Sequence, residues 1–169
     1  LGISWFPIWH YAVVVGYDTA KEFVILRSGT TFRKVMPFGV FKKTWARNNY
    51  WGIIILQPTQ LPALAKEETY LSAVLGLEKA YQFQAAVSGY RTALTRWPQS
   101  IAARMVLGNS YYALGDFLNP ENAFGEIISL QPRAGAAYNN LAQILMEQER
   151  YIEALEMARK AVSLGGPLQ

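Results

Sequence analysis

A 34-residue period runs through the chain from residue 67 to near its C-terminus. Prolines mark the ends of successive repeats, at Pro98, Pro132 and, one residue later than the period, Pro167. Large apolar and small residues recur together between them, in the columns Phe83, Phe117 and Tyr151; Tyr90, Phe124 and Ala158; Ala93, Ile127 and Ala161; and Leu94, Ile128 and Val162. A period of this length is typical of proteins built from stacked supersecondary units. It therefore predicts a repeat architecture for more than half of the protein.

These columns resemble the tetratricopeptide repeat. The resemblance implies two antiparallel helices per unit, with a small residue on one helix accepting a bulky side chain from the other. The middle unit shows this most clearly, because Gly108 lets the helices approach and Tyr111 fills the space between them. We expect three helix pairs, at roughly residues 67–97, 101–130 and 135–164.

One position in the middle unit departs from the family pattern. Asn119 predicts a helix N-cap, followed by Pro120 in the first turn and by Glu121, whose charge suits a helix N-terminus. The family places a small residue at the position of Pro120, usually Ala, as at Ala86 and Ala154. Because proline is tolerated in the first turn of a helix, we expect the packing there to be altered but intact.

The number of repeats bears on stability. Three repeats are near the minimum for a stable stack, and the residues 165–167, Gly-Gly-Pro, end the pattern without a polar capping helix. We expect another surface to cover one end of the stack.

The front of the chain predicts a β-rich module. Apolar, β-branched runs alternate with turn residues, and the prolines of residues 58–63 end the pattern because they cannot donate to a strand ladder. The predicted order is β-β-β-α-β, with strands at 9–17, 22–27 and 31–35, a helical stretch at 37–45 and a buried strand at 51–57, whose residues Ile53, Ile54 and Ile55 we assign to the core. The fold class is α+β: a small antiparallel module at 1–57, a stiff linker at 58–66 and repeats at 67–166.

The charge belongs mainly to this front module. The first 60 residues hold seven Lys or Arg against two Asp or Glu, whereas the remaining residues hold nine against ten. A diffuse excess of this kind is typical of a solvated surface, so we expect no nucleic-acid partner. The chain has no cysteine, which excludes disulfides and Cys-based metal sites, and nothing indicates a cofactor. Its longest apolar run, residues 50–56, is far shorter than the roughly 20 residues that a membrane span needs.

The single histidine, His10, stands at the head of the first predicted strand. It is followed by an apolar run, by Gly-Tyr-Asp at 16–18, by a return strand and by the motif Phe-x-x-x-Trp from Phe41 to Trp45. This order of features resembles the C-terminal half of papain-like cysteine peptidases of the bacteriocin-processing (double-glycine leader) type. The resemblance implies that His10 is the general base. It also implies an orienting residue at the end of the return strand, for which Ser28 is the nearest match.

The resemblance covers only part of a catalytic site. The family carries its nucleophilic cysteine and its oxyanion-hole glutamine on the N-terminal half, and a thiol needs a neighbouring imidazole to become a thiolate. This chain has no cysteine, so we expect it to be inactive alone. The family's orienting residue is usually Asp or Asn. Ser28 is followed by Gly29, and serine and glycine are both common in turns, so a turn role also explains Ser28. A purely structural role for His10 is the alternative.

For the repeats, the resemblance implies a concave face lined by the first helix of each pair. In the middle and last units this face carries Met105, Asn109, Tyr112, Asn139, Gln143 and Met146. Thioether and amide side chains suit an extended peptide, because they hydrogen-bond its backbone and accommodate its side chains loosely. The alternative is that these are only solvated helix residues. The family's carboxylate clamp needs Lys and Arg beside Asn, which Asn109 and Asn139 lack, so a chaperone C-terminus is disfavoured.

Two function classes remain open. In the first, the chain is the histidine-bearing part of a bacterial cysteine peptidase of the cell envelope or secreted space, and its repeats recruit a protein substrate. In the second, the front module is a degenerate peptidase-like domain, and the protein is an adaptor that binds polypeptide without cutting it. The chain begins at Leu1 rather than Met, so we expect a fragment or a processed chain. A missing N-terminal lobe or a second copy would then cover the β module, and both classes predict a peptide partner.

Overall fold

The computed structural model describes residues 11–165, which divide between Ile54 and Ile55 into two compact units. The first unit contains a three-stranded antiparallel sheet followed by one helix. Its elements are β1 (Ala12–Asp18), β2 (Phe23–Ser28), β3 (Thr31–Pro37) and α1 (Phe38–Ala46). The predicted strands and the helix that follows Pro37 are confirmed to within a few residues.

The sheet has the order β1-β2-β3, with β2 in the centre. Asp18 closes the first turn by accepting a hydrogen bond from the backbone N–H of Lys21, at 2.9 Å. The second turn contains Gly29, whose φ of 57° lies in the left-handed region that glycine adopts without strain. Val24 and Leu26 of the central strand are the buried side chains of the described sheet.

The Phe-x-x-x-Trp motif forms an aromatic cluster on α1. The rings of Phe41 and Trp45 lie 5.5 Å apart, and the ring of Tyr50 meets that of Trp45 edge-on at 5.4 Å. The Trp45 indole N–H donates to the carbonyl of Trp51 at 2.6 Å. These contacts give the motif a structural role in holding the chain that leaves α1.

The predicted buried strand at 51–57 is wrong. This segment joins no strand of the described chain, and Ile53, Ile54 and Ile55 are exposed rather than in the core. Asn49 and Tyr50, with φ of 48° and 56°, turn the backbone just before it. Apolar, β-branched composition suits a strand, but a strand also needs a partner for its backbone groups, and none of the described strands pairs with this one. The observed order is therefore β-β-β-α.

The second unit is a row of six helices. They are α2 (Glu67–Lys79), α3 (Phe83–Arg96), α4 (Ile101–Ala113), α5 (Leu118–Leu130), α6 (Gly135–Glu147) and α7 (Tyr151–Ser163). Each helix packs against the next in the sequence. The three predicted helix pairs are confirmed. None of the helices among residues 11–165 has the length and apolarity that a membrane crossing requires.

Small and large residues nest between paired helices, as the repeat pattern predicts. A Cβ atom placed on Gly108 of α4 would come within 2.6 Å of the Phe124 ring on α5. In the first pair the sizes are reversed, because a Cβ atom on Gly89 of α3 would come within 2.8 Å of Val74 on α2. The predicted role of Gly108 in letting the helices approach is confirmed.

The start of α5 corrects one detail. The helix begins at Leu118, and the Asp116 carboxylate accepts hydrogen bonds from the backbone N–H groups of Leu118 and Asn119, both at 3.1 Å. The Asn119 side chain also donates to Asp116, and this bond is the main cause that lowers the pKa of Asp116. The predicted N-cap at Asn119 is therefore wrong, since the cap position is Phe117 and the Asp116 carboxylate supplies the capping hydrogen bonds. Pro120 is buried in the first turn without breaking the helix, as expected.

Candidate functional site

Helices α4 and α6, the first helices of the middle and last pairs, are bridged by polar side chains. The Asn140 amide nitrogen donates to the Asn109 carbonyl oxygen at 3.2 Å. The same nitrogen lies 3.4 Å from the sulfur of Met105, a weak acceptor. Asn140 therefore ties together two residues of α4 that the sequence assigns to the concave face.

A second bridge lies one turn further along the same two helices. The Gln143 amide nitrogen donates to the Tyr112 hydroxyl at 3.0 Å, and that hydroxyl donates to the Glu147 carboxylate at 3.2 Å. We call the five linked side chains the polar ladder: Asn109, Tyr112, Asn140, Gln143 and Glu147. Glu147 is its one charged member.

Helical periodicity explains why these residues meet. Side chains separated by three or four positions lie on one face of a helix. Met105, Asn109 and Tyr112 follow that spacing on α4, and Asn140, Gln143 and Glu147 follow it on α6. Two facing stripes of polar residues therefore run side by side along the two helices.

The polar ladder borders a cleft of about 170 Å³. Phe124 and Ile144, which are almost fully buried, contribute an apolar floor. The remaining lining residues are polar: Asn109, Tyr112, Asn140 and Gln143. Asn109 and Gln143 are both exposed lining residues, and their hydrogen bonds within the described part of the chain use the Asn109 carbonyl oxygen and the Gln143 amide nitrogen.

The sequence-predicted residues of the concave face fall into two groups. Four of them, Met105, Asn109, Tyr112 and Gln143, line the cleft or contact the polar ladder. The structure does not bring Asn139 or Met146 to the cleft; Asn139 is half-buried, and Met146 is 59% exposed. Asn139 lies one period of 34 residues after Met105, and it was predicted for that reason. The residue of α6 that contacts Met105 and Asn109 is its neighbour, Asn140.

Two residues of the polar ladder, Asn140 and Glu147, are absent from the sequence-based prediction. Asn140 and Glu147 would have emerged from the three-and-four spacing around Gln143. That spacing, rather than the 34-residue column, decides which side chains of α6 face α4.

The charges near the site belong mostly to structural pairs. Arg104 of α4 forms an ion pair with Glu126 of α5, with its Nε atom 2.7 Å from the carboxylate. Arg150, between α6 and α7, pairs with Glu121 at 2.8 Å and with Glu153 at 2.6 Å. Among residues 11–165 there is no group of three or more His, Cys, Asp and Glu side chains that could hold a metal ion.

The predicted catalytic residues are only partly visible. His10 lies outside the described residues. Ser28 ends β2, where it is paired across the sheet with Ala12 of β1 and with Thr31 of β3. It directly precedes the turn at Gly29, so its position is that of a turn residue.

Comparisons with known proteins identify the helical unit. Two family models described as tetratricopeptide repeat match residues 71–119 and 135–165. Neither reaches the β module, and no comparison supports a relation to papain-like peptidases. No curated protein sequence matches the chain.

Several solved structures share the fold. A crystal structure of MamA is similar over 59% of this chain and 58% of its own length, with 21% identity and a TM-score of 0.57. The second TPR of Spaghetti (RPAP3), bound to an HSP90 peptide, is similar over 58% of this chain and 91% of its own, with 12% identity and a TM-score of 0.55. The TPR domain of Arabidopsis OM64 has 19% identity and a TM-score of 0.55, over 58% and 81%. At these identities the likeness establishes the fold of the helical unit.

Proposed function

We propose that this chain, whose helical unit consists of tetratricopeptide repeats, binds an extended polypeptide on the face that α4 and α6 share. The observation that carries the proposal is the polar ladder, which aligns amide and hydroxyl groups along one face. Repeats of this kind typically bind protein or peptide partners, as the Spaghetti structure does with its peptide.

The chemistry of the face suits a peptide backbone. An extended peptide presents alternating N–H and C=O groups, and the Asn109 amide nitrogen and Gln143 carbonyl oxygen can serve one of each. The floor formed by Phe124 and Ile144 suits an apolar side chain. The cleft of about 170 Å³ is close to the roughly 150 Å³ cavity that accommodates benzene in an engineered protein. We therefore expect one medium-sized apolar side chain of the partner to enter it.

The charge of the site narrows the class of peptide. Arg104, the cation of α4, is engaged by Glu126, and Glu147 places a negative charge at one end of the polar ladder. A site of this kind disfavours a peptide held by its carboxylates, such as the acidic HSP90 sequence in the Spaghetti structure. The proposed partner segment is neutral or basic.

The test is a binding measurement with a selected peptide. A library of neutral and basic decapeptides is screened against the full chain, and the best binder is labelled for fluorescence anisotropy. In the double variant Asn109→Ala/Gln143→Ala we expect roughly thirty-fold weaker binding, since the two neutral hydrogen bonds to the peptide are each worth about 1 kcal/mol. The matched control is Asn122→Ala/Gln131→Ala, which removes two exposed amides from α5 and the loop that follows it. Equal affinity for both double variants would contradict the proposal.

A second candidate function concerns the β module. The pairing of Ser28 with Ala12 brings the end of β2 to the start of β1, and Ala12 lies two residues after His10 in the sequence. On this basis we propose His10 as the general base of a cysteine peptidase whose nucleophile lies on another segment, with Ser28 or a water orienting it. The variant His10→Ala in the longest natural form should abolish peptide cleavage without unfolding the protein. Full cleavage activity in that variant would exclude this role.

A further inference from the structure

Helix α6 ends on a carboxylate. Glu147 is the last residue of α6 and its only charged residue, and the last turn contains no basic side chain. The C-terminus of a helix carries a partial negative charge, which a cation stabilises and a carboxylate reinforces. Glu147 therefore adds to the negative potential at this end of the polar ladder. A neutral or basic residue would stabilise α6 better at this position.

The cations on or next to these helices pair with other carboxylates. Arg104 is the only cation of α4, and it pairs with a carboxylate of α5. Arg150 follows α6 by a few residues, and its guanidinium pairs with Glu121 and Glu153. No ion pair among residues 11–165 includes Glu147. Its negative charge is therefore available to a cation of a partner.

The carboxylate of Glu147 is accessible and oriented. The side chain is exposed, and one of its oxygens accepts a hydrogen bond from the Tyr112 hydroxyl at 3.2 Å. That hydroxyl in turn accepts from the Gln143 amide nitrogen at 3.0 Å. These bonds orient the carboxylate but bring no positive charge to it, since both donors are neutral. A group that is already oriented loses less conformational entropy when it binds a partner.

The position of Glu147 relative to the cleft sets a spacing. Ile144, in the floor of the cleft, precedes Glu147 on α6 by three residues. Three residues of a helix span about 4.5 Å. In an extended peptide, alternate side chains point to the same side and lie about 6.6–6.8 Å apart. If a peptide follows the polar ladder with one side chain in the cleft, the side chain two positions away therefore lies close to Glu147.

We infer that Glu147 is a cation subsite of the peptide-binding face. It binds a Lys or Arg side chain of the partner, two positions away from the apolar residue that enters the cleft. This inference rests on the proposed function, because it requires the peptide to run along the polar ladder. It adds the residue that selects the charge of the peptide and the place of that charge in the peptide sequence.

The test separates the charge of Glu147 from its hydrogen bond. Glu147→Gln removes the charge and keeps an oxygen that accepts from the Tyr112 hydroxyl. The matched control is Glu156→Gln, which removes the same charge from an exposed position of α7. The probe is the decapeptide that binds the full chain best in the library of neutral and basic sequences. Alanine substitution along this peptide identifies its apolar anchor, and each of its Lys or Arg residues is replaced in turn by Gln.

We expect the best decapeptide to carry Lys or Arg two positions from its apolar anchor. Glu147→Gln should weaken binding about five-fold, as for a well-placed exposed ion pair, and Glu156→Gln should leave it unchanged. Replacing the cation of the peptide by Gln should weaken binding to the natural chain by the same factor. It should not change binding to Glu147→Gln, because both changes remove one and the same interaction. The difference between the natural chain and Glu147→Gln should vanish in about 1 M salt, where exposed charges are screened.

Reversal of the charge gives a second, independent readout. Glu147→Lys places a cation at the end of α6, where the helix dipole favours it, so the fold should be retained. This variant should bind the peptide whose cation is replaced by Glu more tightly than the original peptide. If Glu147→Lys still prefers the cationic peptide, the inference is wrong.

Two further results would overturn this inference and leave the proposed function standing. The first is a best decapeptide without a cation two positions from its anchor, and the second is equal affinity of the natural chain and Glu147→Gln. In both cases Asn109→Ala/Gln143→Ala would still weaken binding. If that double variant also binds normally, or if no decapeptide binds, the proposed function fails together with the inference.

Discussion

The two units of this chain bury their apolar side chains to very different degrees. In the helical unit Tyr90, Phe124 and Ile127 are fully buried. In the β module Tyr11 is 85% exposed and Phe32 is 80% exposed, and β1 leaves three consecutive valines largely uncovered. The helical unit stacks each element on its sequence neighbour, whereas a sheet of three strands needs another layer to cover it.

The repeats bury their apolar side chains against neighbouring helices of the same unit, whereas the described sheet leaves most of its own exposed. Each repeat obtains its neighbours from the next segment of the same chain, so its core forms from local contacts. The described sheet buries Val24 and Leu26 but leaves most of its other large apolar side chains exposed.

The largest expected contrast comes from deleting one aromatic ring in each unit. Phe124→Ala should lower the free energy of unfolding of the helical unit by about 3–5 kcal/mol, because the ring is fully buried between α4, α5 and α6. Phe32→Ala should change stability by less than about 0.5 kcal/mol. Urea denaturation followed by circular dichroism measures the stability of the Phe124→Ala variant. Tryptophan fluorescence measures that of the Phe32→Ala variant in a Trp97→Phe background, because Trp97 is the tryptophan of the helical unit. Similar losses in both would remove the contrast.

The next effect concerns the close approach of helices in the middle pair. Gly108→Ala should cost about 1–3 kcal/mol, because the new Cβ atom meets the buried Phe124 ring. The control Gly76→Ala introduces the same change where the space is open, and helix propensity should then stabilise α2 by about 0.5–1 kcal/mol. If Gly108→Ala were as stable as its control, the nesting of small and large residues would not be what holds this pair together.

A smaller effect is expected at the cap of α5. Asp116→Ala should cost about 1 kcal/mol near neutral pH, because two backbone N–H groups lose their acceptor. The pKa of Asp116 is lowered in the folded state, chiefly by the Asn119 side chain. Its contribution is therefore present above the ordinary pKa of aspartate and is lost as the pH falls through the lowered value. Denaturation at neutral and at strongly acidic pH should show the gap between the two proteins closing; a constant gap would rule out the carboxylate as the cap.

The contrast between the units also explains what the sequence could predict. The helix pairs were predictable because repeat contacts are local and recur at a fixed spacing. The strand at 51–57 was not, since apolar composition does not reveal whether a partner strand lies alongside. Asn119 was a reasonable N-cap by residue type, but the helix begins earlier, at Leu118, and the Asp116 carboxylate accepts from its first N–H groups.

The residues of the polar ladder were likewise predictable only in part. Asn109, Tyr112 and Gln143 follow from the repeat columns, because homologous positions lie on corresponding faces. Asn140 and Glu147 depend on the register between two neighbouring helices, which places the facing stripe one residue away from the column. The register of α6 against α4 depends on how their side chains pack, so it cannot be derived from a single sequence.

The most direct measurement of the central claim is an NMR titration of the full chain with the selected neutral or basic peptide, following the side-chain NH₂ signals of asparagine and glutamine. The account predicts that the signals of Asn109, Asn140 and Gln143 shift together at the peptide's dissociation constant, while that of Asn122 on α5 stays in place. Saturated binding that leaves the signals of the polar ladder unmoved would contradict the proposal that this face holds the peptide.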